Sequence, residues 1–140
     1  MKIKLIKHSE EMPMPTRKHY NDAGADVASM IDCVLPAHGA LKVPLGFGIE
    51  LPDGYQAIIQ PRSGLSTKGI IANVAPIDSG YTGEINALMT NCTDEDFVIE
   101  KGDRIGQLVI MPILLADFTY DEETFSHKRG SAGFGSTGMK

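Results

Sequence analysis

The chain has 140 residues, 42% of them hydrophobic, and a formal net charge of −5. It is long enough for one domain with a real core and too apolar for a disordered chain. It is also too acidic for a general nucleic-acid binder, which carries a basic face. An anionic small substrate remains compatible, since it needs only a few arginines and backbone N–H groups gathered in one place.

The 15 glycines and 8 prolines punctuate the chain often, which suits many short strands joined by turns. Residues 2–6 read as a first strand, with Ile3 and Leu5 on one face. Residues 8–22 are polar and contain proline, and read as a loop. A small-residue stretch around Asp26 follows, at 23–29, and then an apolar run at 31–35. The clearest strand spans 41–51. Leu41, Val43, Leu45, Phe47, Ile49 and Leu51 alternate strictly with Lys42, Pro44, Gly46, Gly48 and Glu50, the period of a strand with one buried face. Pro44 and the two glycines suggest an edge or a bend within it.

Pro52-Asp53-Gly54 signals a turn and residues 55–60 the returning strand. Residues 61–69 break the β pattern, with Ser63 as a credible N-cap and Gly69 as a stop. They predict one or two helical turns. Ile70 and Ile71 lead into a hairpin that leaves as a strand over 84–91, with Ile85, Ala87 and Met89 on one face. Residues 93–96 form an acidic turn, 97–99 a short strand, 101–103 another turn, and 104–111 a near-continuous apolar strand containing Gln107. Residues 112–120 continue extended. The expected class is a single antiparallel β domain, sandwich or jelly roll, with at most one short helix and a flexible glycine-rich C-terminal arm.

Cys33 and Cys92 have no CxxC or Cys/His spacing and read as small core or half-buried residues. His8, His19, His38 and His127 form no HxxxH or HExxH pattern, which argues against zinc. No apolar run approaches a membrane span, and residues 1–7 lack the apolar block of a signal peptide. The expectation is a cytoplasmic protein with neither membrane nor nucleic-acid partners.

The hairpin tip at 73–85 carries the first candidate chemistry. Asp78 and Tyr81 stand three residues apart at the turn. An acid at the mouth of a hairpin can act on water as a general base, and a ring beside it can cover a substrate. Asp78 and Ser79 can equally form an Asx-type turn, with Gly80 at positive φ. Arg62 and Ser63 stand at the proposed helix start, where free N–H groups and a planar guanidinium suit phosphate oxygens. The alternative is a surface arginine beside a capped turn. The tail, residues 129–138, supplies a second anion cluster. Its glycines let backbone N–H groups approach a ligand, Arg129, Ser136 and Thr137 add a charge and two hydroxyls, and Phe134 can lie over a base. A low-complexity end is the competing reading. Gln107 either satisfies a core hydrogen bond or reaches a ligand. Asp26 can hold water around Mg²⁺ or cap a turn. Asp103 and Arg104 serve a turn and a local ion pair. Together these describe a nucleoside polyphosphate site, in which phosphate donors contribute the larger catalytic term.

Five stretches, in order, resemble the trimeric deoxyuridine triphosphatases (dUTPases). They are Ala23-Gly24-Ala25-Asp26-Val27, Pro61-Arg62-Ser63-Gly64-Leu65, Ile77-Asp78-Ser79-Gly80-Tyr81-Thr82-Gly83-Glu84-Ile85, Gly102-Asp103-Arg104-Ile105-Gly106-Gln107-Leu108 and Arg129-Gly130-Ser131-Ala132-Gly133-Phe134-Gly135-Ser136-Thr137-Gly138. The resemblance implies a β jelly roll that forms a homotrimer, with each active site shared by three chains. Residues 1–120 would be the core, and 121–140 a linker and arm closing over a neighbouring site. It implies hydrolysis of dUTP to dUMP and pyrophosphate, limiting uracil in DNA and supplying dUMP for dTMP synthesis. Mg²⁺ would be bound mainly by the triphosphate. Asp78 would activate the water that attacks the α-phosphorus, Tyr81 would pack on the deoxyribose, and the backbone from Asn73 through Ile77 would read uracil, with Asn86 bordering the nucleoside. Arg62, Ser63, Gly64 and Gln107 would contact phosphates, and Asp26 would hold a metal-bound water. From a neighbouring chain, Phe134 would stack on uracil while Arg129, Gly135, Ser136 and Thr137 clasp the outer phosphates. Two alternatives are a dCTP deaminase-like or bifunctional relative, and a nucleotide-responsive regulatory binding protein.

Overall fold

The computed structural model describes residues 1–120, 130–135 and 137–140. Ten short strands and one helical turn follow one another: β1 (Lys4–Lys7), β2 (Ala25–Ala28), β3 (Cys33–Leu35), β4 (Ala40–Pro44), β5 (Phe47–Glu50), β6 (Tyr55–Gln60), α1 (Ser63–Ser66), β7 (Ile70–Asn73), β8 (Asn86–Asn91), β9 (Phe97–Ile99) and β10 (Arg104–Pro112). They pair as four antiparallel sheets, β1-β5, β2-β10-β6, β3-β9 and β4-β8-β7. The sheets wrap one core in which Leu35, Val43, Phe47, Ala57, Ile59, Met89 and Ile99 are almost inaccessible to solvent. This is the all-β jelly roll expected, with a helix too short to hold itself without tertiary packing.

The predicted strand at 41–51 is two strands in two sheets. β4 pairs with β8, and β5 pairs with β1. The chain turns the corner at Gly46, whose φ is +82° and against which Met30 packs; a β-carbon there would meet Met30 Cγ and Sδ at 2.9 Å. The apolar alternation survives the corner, because Val43, Leu45, Phe47 and Ile49 all point into the same core.

Other boundaries also differ from the sequence reading. Residues 25–28, too small to announce a strand, form β2, and Thr16 in the preceding loop bridges Asp26. After β10, Ile113 N–H still donates to Gly54 O at 2.9 Å. No strand follows among the described residues, and Leu114, Leu115, Phe118 and Tyr120 are exposed. Arg62, not Ser63, occupies the N-cap, with extended φ and ψ of −90° and 135° and no side-chain cap bond; Ser63 is already the first helical residue. Cys33 is half-buried, and burial together with the charge of Asp32 raises its thiol pKa. Cys92 is exposed rather than half-buried.

Asn91 is the buried polar residue that ties the far end of β8 together. Its Nδ2 donates to Leu35 O at 3.1 Å and to Glu95 O at 2.7 Å, while its Oδ1 accepts from Thr93 N at 2.9 Å and Thr93 Oγ1 at 2.7 Å. Removing the amide leaves the buried Leu35 carbonyl without this donor and also breaks the part-buried bonds to Glu95 and Thr93, and a buried group left unpaired costs about 1–3 kcal/mol. Asn91→Ala is therefore expected to destabilise the fold by about 2–4 kcal/mol, read as a lower urea midpoint at unchanged slope.

Candidate active site

The loop between β7 and β8 is fixed by two buried isoleucines. Ile77 and Ala57 exchange two backbone bonds, Ile77 N to Ala57 O at 2.7 Å and Ala57 N to Ile77 O at 3.2 Å. Ile85 N donates to Phe47 O at 2.8 Å and Ile85 O accepts from Leu45 N at 3.1 Å. Between these anchors Asp78 O accepts from Tyr81 N at 3.2 Å, and Gly80 turns the chain at φ +91°. The turn is thus closed by the main chain of Asp78. Among the described residues its exposed carboxylate makes no hydrogen bond, and Ser79 Oγ bonds Asp53 Oδ1 at 3.2 Å instead. The Asx-turn reading fails for this reason, and the carboxylate remains available to a water.

Asp78 borders a cavity of about 430 Å³ whose wall is the loop itself, residues 74–78, 81 and 84–86. Lys42 and Leu88, opposite each other across β4 and β8, complete the lining. The volume suits a small organic ligand. Tyr81 is half exposed, and its phenol donates to Glu84 O at 3.2 Å. Asn86 Nδ2 reaches the same carbonyl at 3.3 Å. Pro76 lies in the wall and has no N–H to offer a ligand. Asn73 is not in the lining; its Oδ1 accepts from Val74 N at 2.8 Å.

A second cluster forms on the β2-β10-β6 sheet. Gln107 stands opposite Asp26 on one side and Gln60 on the other. Its Nε2 donates to Pro61 O at 2.8 Å, so it is tied to the start of the helical turn. Gly24 makes room for it: a β-carbon there would stand 2.3 Å from Gln107 Oε1. Arg62 Nε lies 3.2 Å from Asp26 Oδ1, and Arg104 Nη1 lies 3.5 Å from Asp26 Oδ2. Arg62 Nη1 also donates to Arg104 O at 2.9 Å. The ion pair expected to be local to Arg104 therefore runs across the sheet, while Asp103 Oδ2 serves the turn by accepting from Glu100 N at 2.9 Å. Ser63 and Gly64 follow, both exposed.

Asp26 has both oxygens facing guanidinium groups, and no group of three His, Cys, Asp or Glu side chains among the described residues could hold a metal ion. This donor set does not fit a divalent ion held by the protein alone. Among the described residues the tail is exposed. Phe134 is fully exposed, Gly135 adopts φ +75°, and Thr137 is exposed. Arg129 and Ser136 lie outside the described residues.

Sequence reasoning missed Lys42 and Glu84. Lys42 is one polar residue in an alternating strand, which looks like any solvated face. Glu84 meets Tyr81 and Asn86 through its carbonyl, which carries no side-chain signal.

The dUTPase family model matches residues 10–138. The deoxyuridine 5'-triphosphate nucleotidohydrolase of Paramecium bursaria Chlorella virus 1 is 42% identical over 131 residues, covering 93% of each chain. The dUTPase of Staphylococcus bacteriophage 80alpha, solved with dUPNHPP, superposes with a TM-score of 0.90 at 30% identity over 98% of each chain. The dUTPase of phage phi11 of S. aureus, solved as a point mutant and described with a structural Mg(II) ion, superposes at 0.83 with 25% identity, over 90% of this chain and 100% of that one. With the family model matching residues 10–138 and a 42% identical relative covered over 93% of each chain, the chain belongs to the dUTPase family.

Proposed function

We propose that the chain hydrolyses dUTP to dUMP and pyrophosphate, removing a source of uracil in DNA and supplying dUMP for dTMP synthesis. The observation that carries this reading is the exposed Asp78 carboxylate, without a hydrogen-bond partner among the described residues, at the mouth of the nucleoside-sized cavity beside Tyr81. Asp78 takes a proton from a water as its oxygen attacks the α-phosphorus. The bond from that phosphorus to the bridging oxygen breaks, and the bridging oxygen leaves with pyrophosphate. Tyr81 packs on the deoxyribose, the main chain from Asn73 through Ile77 meets the uracil edge, and Asn86 borders the nucleoside.

Arg62, Ser63, Gly64 and Gln107 bind phosphates. The Asp26–Arg62 pair supports this role, because it holds the guanidinium before substrate arrives. Mg²⁺ bound with the triphosphate would supply neutralisation of charge on its oxygens. Asp26 would hold that ion through water, since its two oxygens face arginines.

The active form in this reading is a homotrimer, with residues 1–120 as the core and 121–140 as a linker and an arm reaching a neighbour's site. Support comes from the exposure of the tail, whose Phe134 is fully solvent-accessible within one chain. The exposed Leu114, Leu115 and Phe118 support it too. Phe134 covers the uracil from a neighbouring chain, and Arg129, Gly135, Ser136 and Thr137 clasp the outer phosphates. No helix among the described residues is long and apolar enough to cross a membrane, and the compartment we assign is the cytoplasm.

Pyrophosphate release in the presence of Mg²⁺ is expected from dUTP and not from dCTP, dTTP or UTP. Release of ammonia from dCTP would replace this reading with a deaminase. Asp78→Asn should lower kcat about 10²–10⁴-fold with a smaller change in KM; a variant with the full rate would remove Asp78 as the base. Phe134→Ala should lose stacking worth about 1–3 kcal/mol, seen as a fall in kcat/KM for dUTP, and unchanged kinetics would remove it as the lid.

A further inference from the structure

In the proposed reaction Tyr81 packs on the deoxyribose, where its ring would exclude a ribose 2′-hydroxyl, yet that ring is held by the residues that follow it. The phenol bonds Glu84 O, and the ring lies against Gly83. A β-carbon on Gly83 would stand 2.6 Å from Tyr81 Oη, 2.8 Å from Cζ and 3.1 Å from Cε2. Gly83 is not among the glycines with positive φ. Space for the ring, not a backbone dihedral, is what calls for glycine here.

The backbone of this seat has little room to retreat. Glu84 Oε2 accepts from Gly46 N at 3.1 Å, Ile85 is bonded to Leu45 and Phe47, and His8 Nε2 lies 3.0 Å from Thr82 O. Beneath it runs Gly48, where a β-carbon would meet Thr82 O at 2.5 Å and Gly83 O at 2.8 Å. The two backbones are already in contact. A side chain at position 83 must therefore displace the half-exposed ring rather than the braced main chain.

We propose that Gly83 is a specificity-determining positioning residue: its bare α-carbon seats the Tyr81 ring at the height that leaves no room for a ribose 2′-hydroxyl. The kinetic part of this inference rests on the dUTP reading; the seat itself does not.

Gly83→Ala is expected to raise KM for dUTP and reduce the preference for dUTP over UTP by about ten-fold or more, with kcat falling less than KM rises. In a Tyr81→Ala background, adding Gly83→Ala should change the preference no further. Unchanged preference in Gly83→Ala would overturn the proposal. So would a loss of equal size in the Tyr81→Ala background, because it would not act through the ring. Proton NMR tests the seat without turnover and without a Gly83 variant. The Gly83 α-protons should carry a ring-current shift that Tyr81→Ala abolishes, and α-protons unmoved by Tyr81→Ala would overturn the seat. A wild-type protein that keeps this shift but leaves dUTP uncleaved would instead overturn the functional reading.

Discussion

The two backbone bonds between Ala57 and Ile77 hold the candidate site together. β6 carries Ala57 in its middle and runs at its end into Pro61 and Arg62. One edge of β6 pairs with β10, which carries Gln107, and the bridge to Ile77 attaches the loop that carries Asp78. The acid and the phosphate-binding candidates are thus referenced to a single strand buried at Ala57 and Ile59. Backbone bonds in a dry interior resist displacement because their rupture leaves buried polar groups unpaired. The loop can expose Asp78 to solvent because Ile77 and Ile85, on either side of it, are not exposed.

The arginine cluster follows a different logic. Asp26 and Arg62 are partly exposed, and a pair of that kind contributes only about 0–1 kcal/mol to stability. Its value lies in position. Arg62 is fixed by Asp26 and by Arg104 O together, which orients a long side chain that would otherwise sample many rotamers. In a chain of net charge −5, bringing two guanidinium groups to one carboxylate concentrates positive charge at the proposed phosphate contacts. The same carboxylate offsets their mutual repulsion.

That cluster also depends on an irregularity. Arg104 stands opposite Ala28, Gly106 opposite Val27 and Gln107 opposite Asp26, so β10 carries one extra residue between Arg104 and Gly106. Side chains three apart on a regular strand face opposite ways. The extra residue brings Arg104 and Gln107 onto the face that carries Asp26. Without it one of the two would point into the core.

Much of the molecule was legible in the residues alone. Alternation marked β8 and identified the buried face of the chain through Gly46, because period two reports which side chains meet the core, and turn signals bounded β6 and β9. Turn chemistry put Asp78 at a hairpin tip, and five short stretches in order pointed to the family. What alternation cannot carry is a partner. It does not say that the run at 41–51 divides between two sheets, because the apolar faces of both halves look inward across the corner. Nor does it say that Arg104 reaches Asp26 rather than its neighbour Asp103, since that follows from one extra residue in a pairing between distant segments. Lys42 enters the cavity lining only because β4 lies beside β8, and Gly83 matters only once the Tyr81 ring lies on it. Local pattern determined burial and turns; register and close packing, which arise when remote segments meet, decided which side chains share a site.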